Sequence, residues 1–289
     1  MVLRGRLGLD TARIPHTDRH GLVWLERGRL YVEDGTLRFK AAGSASLPAG
    51  YYAIPFQTIS LVLLGPGGSV THDALRLLAR HGTGLVSVGQ GGVRLYSAPQ
   101  LGPDDSALAR RQARLWADPE TRTSIARRMY AWRFGEILPD ADLTVLRGIE
   151  GARLKESYRV LAEKHRIPWS ARRYEREDPL AADLANQAIN HAASAVEGAA
   201  MIAVAATATI PQLGFVHEDS ANAFVLDIAD LVRTTVTVPV AFAATRACLD
   251  DATLALEREV RRRAAEVFRK EELIPSLIDR IKQLFDGGG

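Results

Sequence analysis

The hydrophobic periodicity of the chain changes once, and this change constrains the fold more than any other feature. From residue 22 to about residue 96, apolar and polar residues mainly alternate, as they do in half-buried β-strands. The segment GLVWLERGRLYVEDGTLRFK alternates on both sides of Asp34 and Gly35, a pair typical of a tight hairpin turn. This part of the chain is therefore predicted to be β-rich.

One helix interrupts the predicted strands. Residues 53–64 (AIPFQTISLVLL) are predicted as a strand, and the segment THDALRLLARHG then has a helix start at Thr71 and a stop at Gly82. The segments GLVSVG and GGVRLY return to strand character.

Residues 98–106 are rich in Pro, Gly and Asp and are predicted to be a linker, and every later segment has helical spacing. We predict an α+β fold, with a small N-terminal β-rich domain at 1–97 and a larger all-α domain at 107–289. The predicted helices span 107–117, 119–134, 143–164, 180–206, 223–232, 239–248 and 251–285, the last with a break near 272–275.

The composition indicates a globular protein and excludes some chemistry. The chain has 289 residues, is 47% hydrophobic, and carries a net charge of only +3, which by itself does not indicate nucleic-acid binding. Cys248 is the single cysteine, so an intrachain disulfide and a cysteine-rich zinc site are excluded, and a reducing compartment is favoured.

Two segments bear on location. The N-terminal segment MVLRGRLGLDTARIPHTDR has no continuous apolar core, so we expect no secretory signal and a cytoplasmic protein. Residues 192–210 are apolar but alanine-rich, and they include Glu197. They are predicted to form a buried core helix and not a membrane span.

Asp227 and Asp230 lie in an otherwise apolar run, GFVHEDSANAFVLDIADLVR, downstream of His217. Three residues apart on a helix, the carboxylates project from one face, and beside an apolar surface they require a compensating cation. Two carboxylates and an imidazole could hold a divalent metal. Alternatively, the acids pair with arginines of a neighbouring helix and the histidine is a structural hydrogen-bonding residue.

Glu150 is flanked by two glycines in the segment RGIEGAR. Glycine inside a helical pattern costs stability, which suggests that backbone or a ligand approaches closely around Glu150. The alternative is an acid at a helix N-terminus, where the helix dipole favours it.

Three segments in order, RGIEGARLKESY, GFVH and DIADLVR, resemble the CRISPR-associated endonuclease and integrase of spacer acquisition, the larger subunit of the adaptation complex. The resemblance includes SVTHDALRLLARHGTGLVSVGQGGVRLY and RRMYAWRFGE, and it looks closest to subtype I-E. It implies an N-terminal β domain and a C-terminal helical domain. It also implies metal ligands at Glu150, His217 and Asp230, with Asp227 as a further catalytic acid.

The resemblance also implies a reaction and partners. A 3′-hydroxyl of a captured DNA duplex would attack a phosphodiester at a CRISPR array, with Mg²⁺ or Mn²⁺ as cofactor, while water as nucleophile would nick DNA. The implied assembly is a homodimer that joins a dimer of a small ferredoxin-like CRISPR-associated partner.

Several residues are predicted to bind DNA, mainly through phosphate. Arg258 and Arg261, one turn apart in LEREVRRRAAEVFRK, match basic DNA-contacting positions of relatives, although a solvated arginine surface would have the same pattern. Arg94 and Arg233 are weaker candidates. By contrast, Glu218 and Asp219 are acidic where some relatives have a basic residue, which could weaken phosphate binding.

Asn186, Gln187 and Asn190 lie on the helix before the histidine loop and could orient the metal ligands. Ordinary hydrogen bonding in the core explains these amides equally well.

Two other functions remain open at this stage. In a non-catalytic DNA-binding scaffold, the acids would form ion pairs with Arg147, Arg153 or Arg233. A metal hydrolase of small phosphoesters would explain the ligands but leave the basic helix without a role.

Overall fold

The structure is a computed structural model that describes residues 21–44, 47–97, 106–135, 142–172 and 183–286. Its N-terminal part is β-rich, and the part after residue 106 is helical. The strands are β1 Gly21–Leu25, β2 Gly28–Glu33, β3 Thr36–Ala41, β4 Gly50–Ala53, β5 Ile59–Leu64, β6 Gly68–Val70, β7 Gly84–Val88 and β8 Leu95–Ser97. The predicted α+β fold class is confirmed.

The strands form two four-stranded sheets. One has the order β1-β5-β7-β8, in which β1, β5 and β7 are parallel and β8 is antiparallel to β7. The other has the order β4-β3-β2-β6 and contains the predicted hairpin of β2 and β3. Asp34 and Gly35 both have positive φ, 50° and 74°, as this tight turn requires.

Strand β5 is buried along its whole length, and its two faces join different cores. Leu61 and Leu63 pack into the core of the helical part, whereas Val62 and Leu64 pack into the core of the β-rich part. Because a strand with two covered faces is apolar at every position, ISLVLL does not alternate. This strand therefore connects the two parts of the fold.

Helix α1, His72–His81, has the predicted ends. The Thr71 hydroxyl accepts a hydrogen bond from the Ala74 amide at 3.3 Å, and Gly82 has a φ of 67°. These are an N-cap and a left-handed C-terminal residue.

The remaining helices follow in sequence, and several bounds agree with the prediction. They are α2 Ala107–Ala117, α3 Pro119–Phe134, α4 Leu143–His165, α5 Leu184–Thr207, α6 Ala223–Asp230, α7 Val238–Asp250, α8 Leu256–Lys270 and α9 Leu273–Asp286. Helices α8 and α9 are separated at the predicted break. Most of the predicted linker, residues 98–105, and residues 180–182 of a predicted helix lie outside the described residues.

Three local predictions were wrong. Residues 54–58 form a turn and not a strand, because Pro55 cannot donate to a ladder and the chain turns back on itself there. Residues 251–255 are not helical, because Asp251 has an extended conformation and its side chain accepts from the Thr253 amide. Helix α6 ends at Asp230, and a π-helical turn, Arg233–Thr237, leads into α7.

Helix α5 is the centre of the helical part. It packs against α6, α7, α8 and α9, and small side chains such as the fully buried Ala199 and Ala200 allow these helices to approach closely. Within the described residues, α5 is the one helix long and apolar enough to cross a bilayer, but 61% of its most apolar 18-residue stretch is buried inside the fold. The prediction of a core helix agrees with this burial.

We predict that Ala199→Leu lowers the free energy of unfolding by about 1–3 kcal/mol, because the buried site has no room for three more carbons. Denaturant unfolding would measure the change. Ser194→Leu on the exposed side of the same helix is the matched control, and an equal loss there would contradict this packing argument.

Candidate active site

Asp227 is the anchor of the candidate site. It is 3% exposed, and its carboxylate accepts hydrogen bonds from the backbone amides of Phe215 at 2.5 Å, Val216 at 3.1 Å and His217 at 2.9 Å. Its Oδ1 also lies 2.7 Å from Nδ1 of His217. This carboxylate can be buried because four nitrogen atoms lie within hydrogen-bond distance of its two oxygens.

This contact orients the imidazole of His217. An ionised Asp227 can only accept, so Nδ1 carries the proton and the neutral ring presents its Nε2 lone pair on the other side. Nε2 faces Asp230, with 3.9 Å between Nε2 and Oδ2. The hydrogen bond that His217 donates to Asp227 raises the pKa of His217 above its ordinary value, although burial opposes this shift. Asp227 and Asp230 therefore bracket one ring, as their spacing on α6 predicts.

A buried arginine that the sequence interpretation did not select joins the remaining two acids. Nη1 of Arg133, on α3, donates to Oε1 of Glu150, on α4, and lies 3.6 Å from Oδ2 of Asp230. The Arg133 side chain is 4% exposed. The cation that the apolar setting of these acids requires is thus supplied, in this structure, by the protein itself.

Arg133 is incompletely satisfied by its two carboxylates. Its Nε and Nη2 atoms are buried and have no hydrogen-bond partner among the described residues. Among the residues that the structure describes, no three His, Cys, Asp or Glu side chains converge closely enough to enclose a metal ion. Glu150, His217 and Asp230 therefore share one region, but the guanidinium lies between the two acids.

Asp230 has a second cationic neighbour. Nη1 of Arg233 donates to Oδ1 of Asp230 at 2.9 Å, and Nε of Arg233 donates to the hydroxyl of Tyr158 at 3.1 Å. Arg233 was predicted to contact DNA, and these contacts give it a position within the site. The predicted DNA contact of this residue stays a prediction.

Two further residues beside the site, Glu197 and Tyr130, were not predicted from the sequence. Glu197, on α5, lines a cleft of about 130 Å³ together with His217, Asp230 and Arg233. Burial, and then the charge of Asp230, raise the pKa of Glu197 above its ordinary value. Burial and the Glu150 carboxylate likewise raise the pKa of Tyr130, one turn before Arg133 on α3. A polar pair spaced by one turn in RRMYAWRFGE was the signal for Tyr130 and Arg133.

The glycines around Glu150 have an unexpected environment. A Cβ atom at Gly148 or Gly151 would meet nothing within 4 Å, so no part of the described protein approaches them. The alternative of a helix N-terminal acid is wrong, because Glu150 is the eighth residue of α4. Close approach of a ligand at these glycines stays a prediction.

Three of the four arginines predicted to bind DNA lie on or beside helix α8, where the two parts of the fold meet. Arg94 donates to Oε1 of Glu257 at 2.7 Å, and Arg261 lies 3.7 Å from the same oxygen. Arg258 is exposed on the same helix, α8. The structure thus brings Arg94, Arg258 and Arg261 to one surface, although they are far apart in sequence.

The predicted orienting amides contact a different residue. Nη1 and Nη2 of Arg172 donate to Oδ1 of Asn186 at 3.0 Å and to Oδ1 of Asn190 at 2.6 Å. Asn186 also donates to the Ala171 carbonyl, so these amides fasten the segment that follows α4 onto α5. Their predicted role in orienting metal ligands, together with that of Gln187, stays a prediction.

Comparisons with known proteins agree with this arrangement. The model of the family described as CRISPR associated protein Cas1 matches residues 22–138. The CRISPR-associated endonuclease Cas1 of Escherichia coli strain K12 is 35% identical over 95% of this chain and 88% of that protein. The corresponding endonuclease of Methanospirillum hungatei JF-1 is 36% identical over 97% of this chain and 91% of that protein.

Solved structures have the same fold. The crystal structure of the TtCas1-DNA complex superposes with a TM-score of 0.83 at 32% identity, covering 94% of this chain and 98% of that one. A casposase bound to integration product has a TM-score of 0.65 at 15% identity over 92% and 96%, which shows the fold alone. A β-rich part followed by helices that carry acids and a histidine is the architecture that this chain shares with these CRISPR-associated endonucleases. The chain belongs to the Cas1 family of CRISPR-associated endonucleases.

We predict that Asp227→Asn lowers the free energy of unfolding by about 1–3 kcal/mol, because an amide cannot accept hydrogen bonds from all four donors. Asp279→Asn, at an exposed position of α9, is the matched control. Denaturant unfolding of both variants would measure the difference, and equal stabilities would contradict the anchoring role.

The Asp227→Asn variant should also change how the stability of the folded protein depends on pH. A raised His217 pKa stabilises the folded protein below the ordinary histidine pKa of about 6.5, and this contribution is lost as the pH rises through the folded value. Asp227→Asn removes the largest cause of the shift. NMR titration of the imidazole should therefore find a lower pKa in the variant, and an unchanged value would contradict the assignment.

Proposed function

We propose that this chain is a metal-dependent DNA endonuclease and integrase that inserts short DNA fragments at a CRISPR array. The observation that carries the proposal is the imidazole of His217, held at Nδ1 by Asp227 so that Nε2 faces Asp230. An outer carboxylate that fixes the tautomer of a histidine is the usual second partner of a metal-binding imidazole. Membership of a family of endonucleases supports the same conclusion.

The donor set fits a divalent cation. Nε2 of His217 and the carboxylates of Asp230 and Glu150 would hold Mg²⁺ or Mn²⁺, with mixed nitrogen and oxygen ligation favouring Mn²⁺. When bound, such a cation would act as a Lewis acid toward a phosphodiester. Arg133 balances the same acids in the present structure. Because a cation and the guanidinium compensate the same charge, metal binding requires Arg133 to give up part of its contact.

The residues of the chain have separable roles in strand transfer. A new bond forms between the attacking 3′-oxygen and phosphorus, and the bond from phosphorus to the leaving oxygen breaks. One P–O bond replaces another, so the number of phosphodiester bonds is unchanged, and the proton lost by the attacking hydroxyl is balanced by the proton that the leaving oxygen gains. Asp227 positions His217, while Glu197 lines the adjoining cleft and is a proton acceptor within reach of that region. Water in place of the hydroxyl would produce a nick.

DNA binding is proposed for the surface formed by Arg94, Arg258 and Arg261. Guanidinium groups on one surface favour contacts to successive phosphates without reading bases. The relative in the TtCas1-DNA complex was solved with DNA, which supports a DNA substrate here. A homodimer, and its assembly with a dimer of a small ferredoxin-like partner, belong to the same proposal.

A second candidate function has a specific observation in its favour. Glu150 pairs with Arg133, and Asp230 pairs with Arg233, so both acids are compensated without a metal. A non-catalytic DNA-binding scaffold would have such pairs. The two functions differ in what happens when one acid is removed.

We predict that Glu150→Ala and Asp230→Ala each reduce DNA nicking and strand transfer by at least about a hundredfold in Mn²⁺ or Mg²⁺, while duplex binding survives. A repeat-bearing plasmid with a labelled duplex would measure strand transfer, with and without the small partner. Asp73→Ala, an exposed acid of α1, is the control and should keep full activity. Undiminished strand transfer in both acid variants would contradict the catalytic role of Glu150 and Asp230.

We also predict that Arg133→Gln destabilises the metal-free protein by about 3–5 kcal/mol, because the partly buried Glu150 loses its counter-ion and Asp230 keeps only Arg233. Mn²⁺ should then raise the melting temperature of the variant by more than it raises that of the wild type. Arg133→Lys keeps the charge and should give an intermediate shift. A smaller Mn²⁺-induced shift in the variant would mean that Arg133 helps to hold the ligands instead.

A further inference from the structure

We propose that Arg122 and Arg147 form a phosphate-binding pair beside His217, and that Glu218 occupies this pair until DNA replaces it. The ligand class, a DNA phosphate, rests on the proposed function. We call this exchange of Glu218 for a phosphate the gate. It rests on contacts among Arg122 of α3, Arg147 of α4 and Glu218 of the loop after His217.

Both guanidinium groups converge on one carboxylate oxygen. Nη2 of Arg122 lies 2.5 Å from Oε1 of Glu218, and Nη2 of Arg147 lies 3.9 Å from the same atom. Arg147 is held in this position by a hydrogen bond from its Nη2 to the carbonyl of Val216 at 2.8 Å. Two guanidinium groups around one anionic oxygen form an arrangement that a phosphate oxygen can also occupy.

Arg122 is positioned before any ligand arrives. Its guanidinium lies over the ring of Trp116 at 5.2 Å, and Trp116 is itself fixed by a hydrogen bond to the Gly214 carbonyl at 2.9 Å. The Arg122 side chain is only 18% exposed. Stacking on an aromatic ring and partial burial reduce the conformational entropy that a ligand would have to remove.

Glu218 compensates the charge of Arg122 but leaves its donors unused. Nε of Arg122 is buried without a hydrogen-bond partner in the described part of the chain, and Nη2 approaches Glu218 without the alignment of a hydrogen bond. Phosphate has more acceptor oxygens than a carboxylate and a tetrahedral shape, so it can use donors that Glu218 does not reach. This mismatch is the observation that indicates an external ligand.

The pair of Arg122 and Arg147 also lies next to the acid and histidine site. Glu218 directly follows His217, and Arg147 precedes Glu150 by three residues, so Arg147 and Glu150 project from neighbouring positions of α4. A phosphate held by Arg122 and Arg147 would therefore flank the phosphate at the acidic centre. Glu218 is 48% exposed and can turn into solvent at small cost, because an exposed ion pair contributes little.

The gate makes a specific prediction for Glu218→Gln. Binding of a labelled DNA duplex, measured by fluorescence anisotropy without divalent metal, should tighten by about two- to fivefold. The slope of log affinity against log salt concentration should steepen by up to about 1, as expected for one additional phosphate contact. Adding Arg122→Gln to the Glu218→Gln variant should remove both effects.

Asp219→Asn is the matched control. It removes the same charge from the neighbouring exposed residue, so it has the same effect on the overall field without releasing the pair. Equal affinities of Glu218→Gln and Asp219→Asn, or an effect that survives Arg122→Gln, would overturn the gate. Because the assay contains no metal, its outcome does not depend on catalysis, and a failure of the proposed DNA function would appear separately as absent binding by the wild type.

Discussion

The candidate site depends on one buried carboxylate. Asp227 gathers three consecutive backbone amides and one imidazole nitrogen, so the loop at 215–217, helix α6 and the histidine ring behave as a single unit. Gly214 is required just before this loop, because a Cβ there would lie 2.4 Å from the His217 carbonyl oxygen. Phe215 then packs against Phe224 and Phe285, which attaches the polar unit to the apolar core. Burial raises the cost of leaving any of these donors unpaired, and the full set of hydrogen bonds is what makes the burial tolerable.

The charge balance around this unit is supplied from several directions. Arg133 comes from α3 and Arg233 from the turn after α6, and both contact Asp230. The two guanidinium groups compensate the partly buried acids in the structure described here. A bound divalent cation, as proposed above, would compete with Arg133 for the charge of the same acids.

The sequence predicted local structure well where local interactions decide it. The Asp34-Gly35 hairpin and the ends of α1 depend on residues within a few positions of each other, so their patterns were sufficient. The spacing of Asp227 and Asp230 also placed two carboxylates on one helix face, and the structure brings both close to His217. The one-turn spacing of Tyr130 and Arg133 marks a polar pair but not its partner, since only the packing of α3 and α5 brings Arg133 and Glu197 to Asp230. The amides of Asn186 and Asn190 contact Arg172, a pairing that their sequence pattern did not indicate, and their predicted role in orienting metal ligands stays a prediction.

The π-helical turn Arg233–Thr237 has a consequence for the geometry of the whole helical part. The amide of Thr237 bonds to the carbonyl of Val232, so this turn contains one residue more than an α-helical turn. One extra residue rotates everything after it by about 100° relative to a regular continuation. Helix α7 thus presents to α5 a face that a continuous α6–α7 helix would direct elsewhere. A single extra residue in this turn therefore sets the rotation of α7 relative to α6, the helix that carries Asp227 and Asp230.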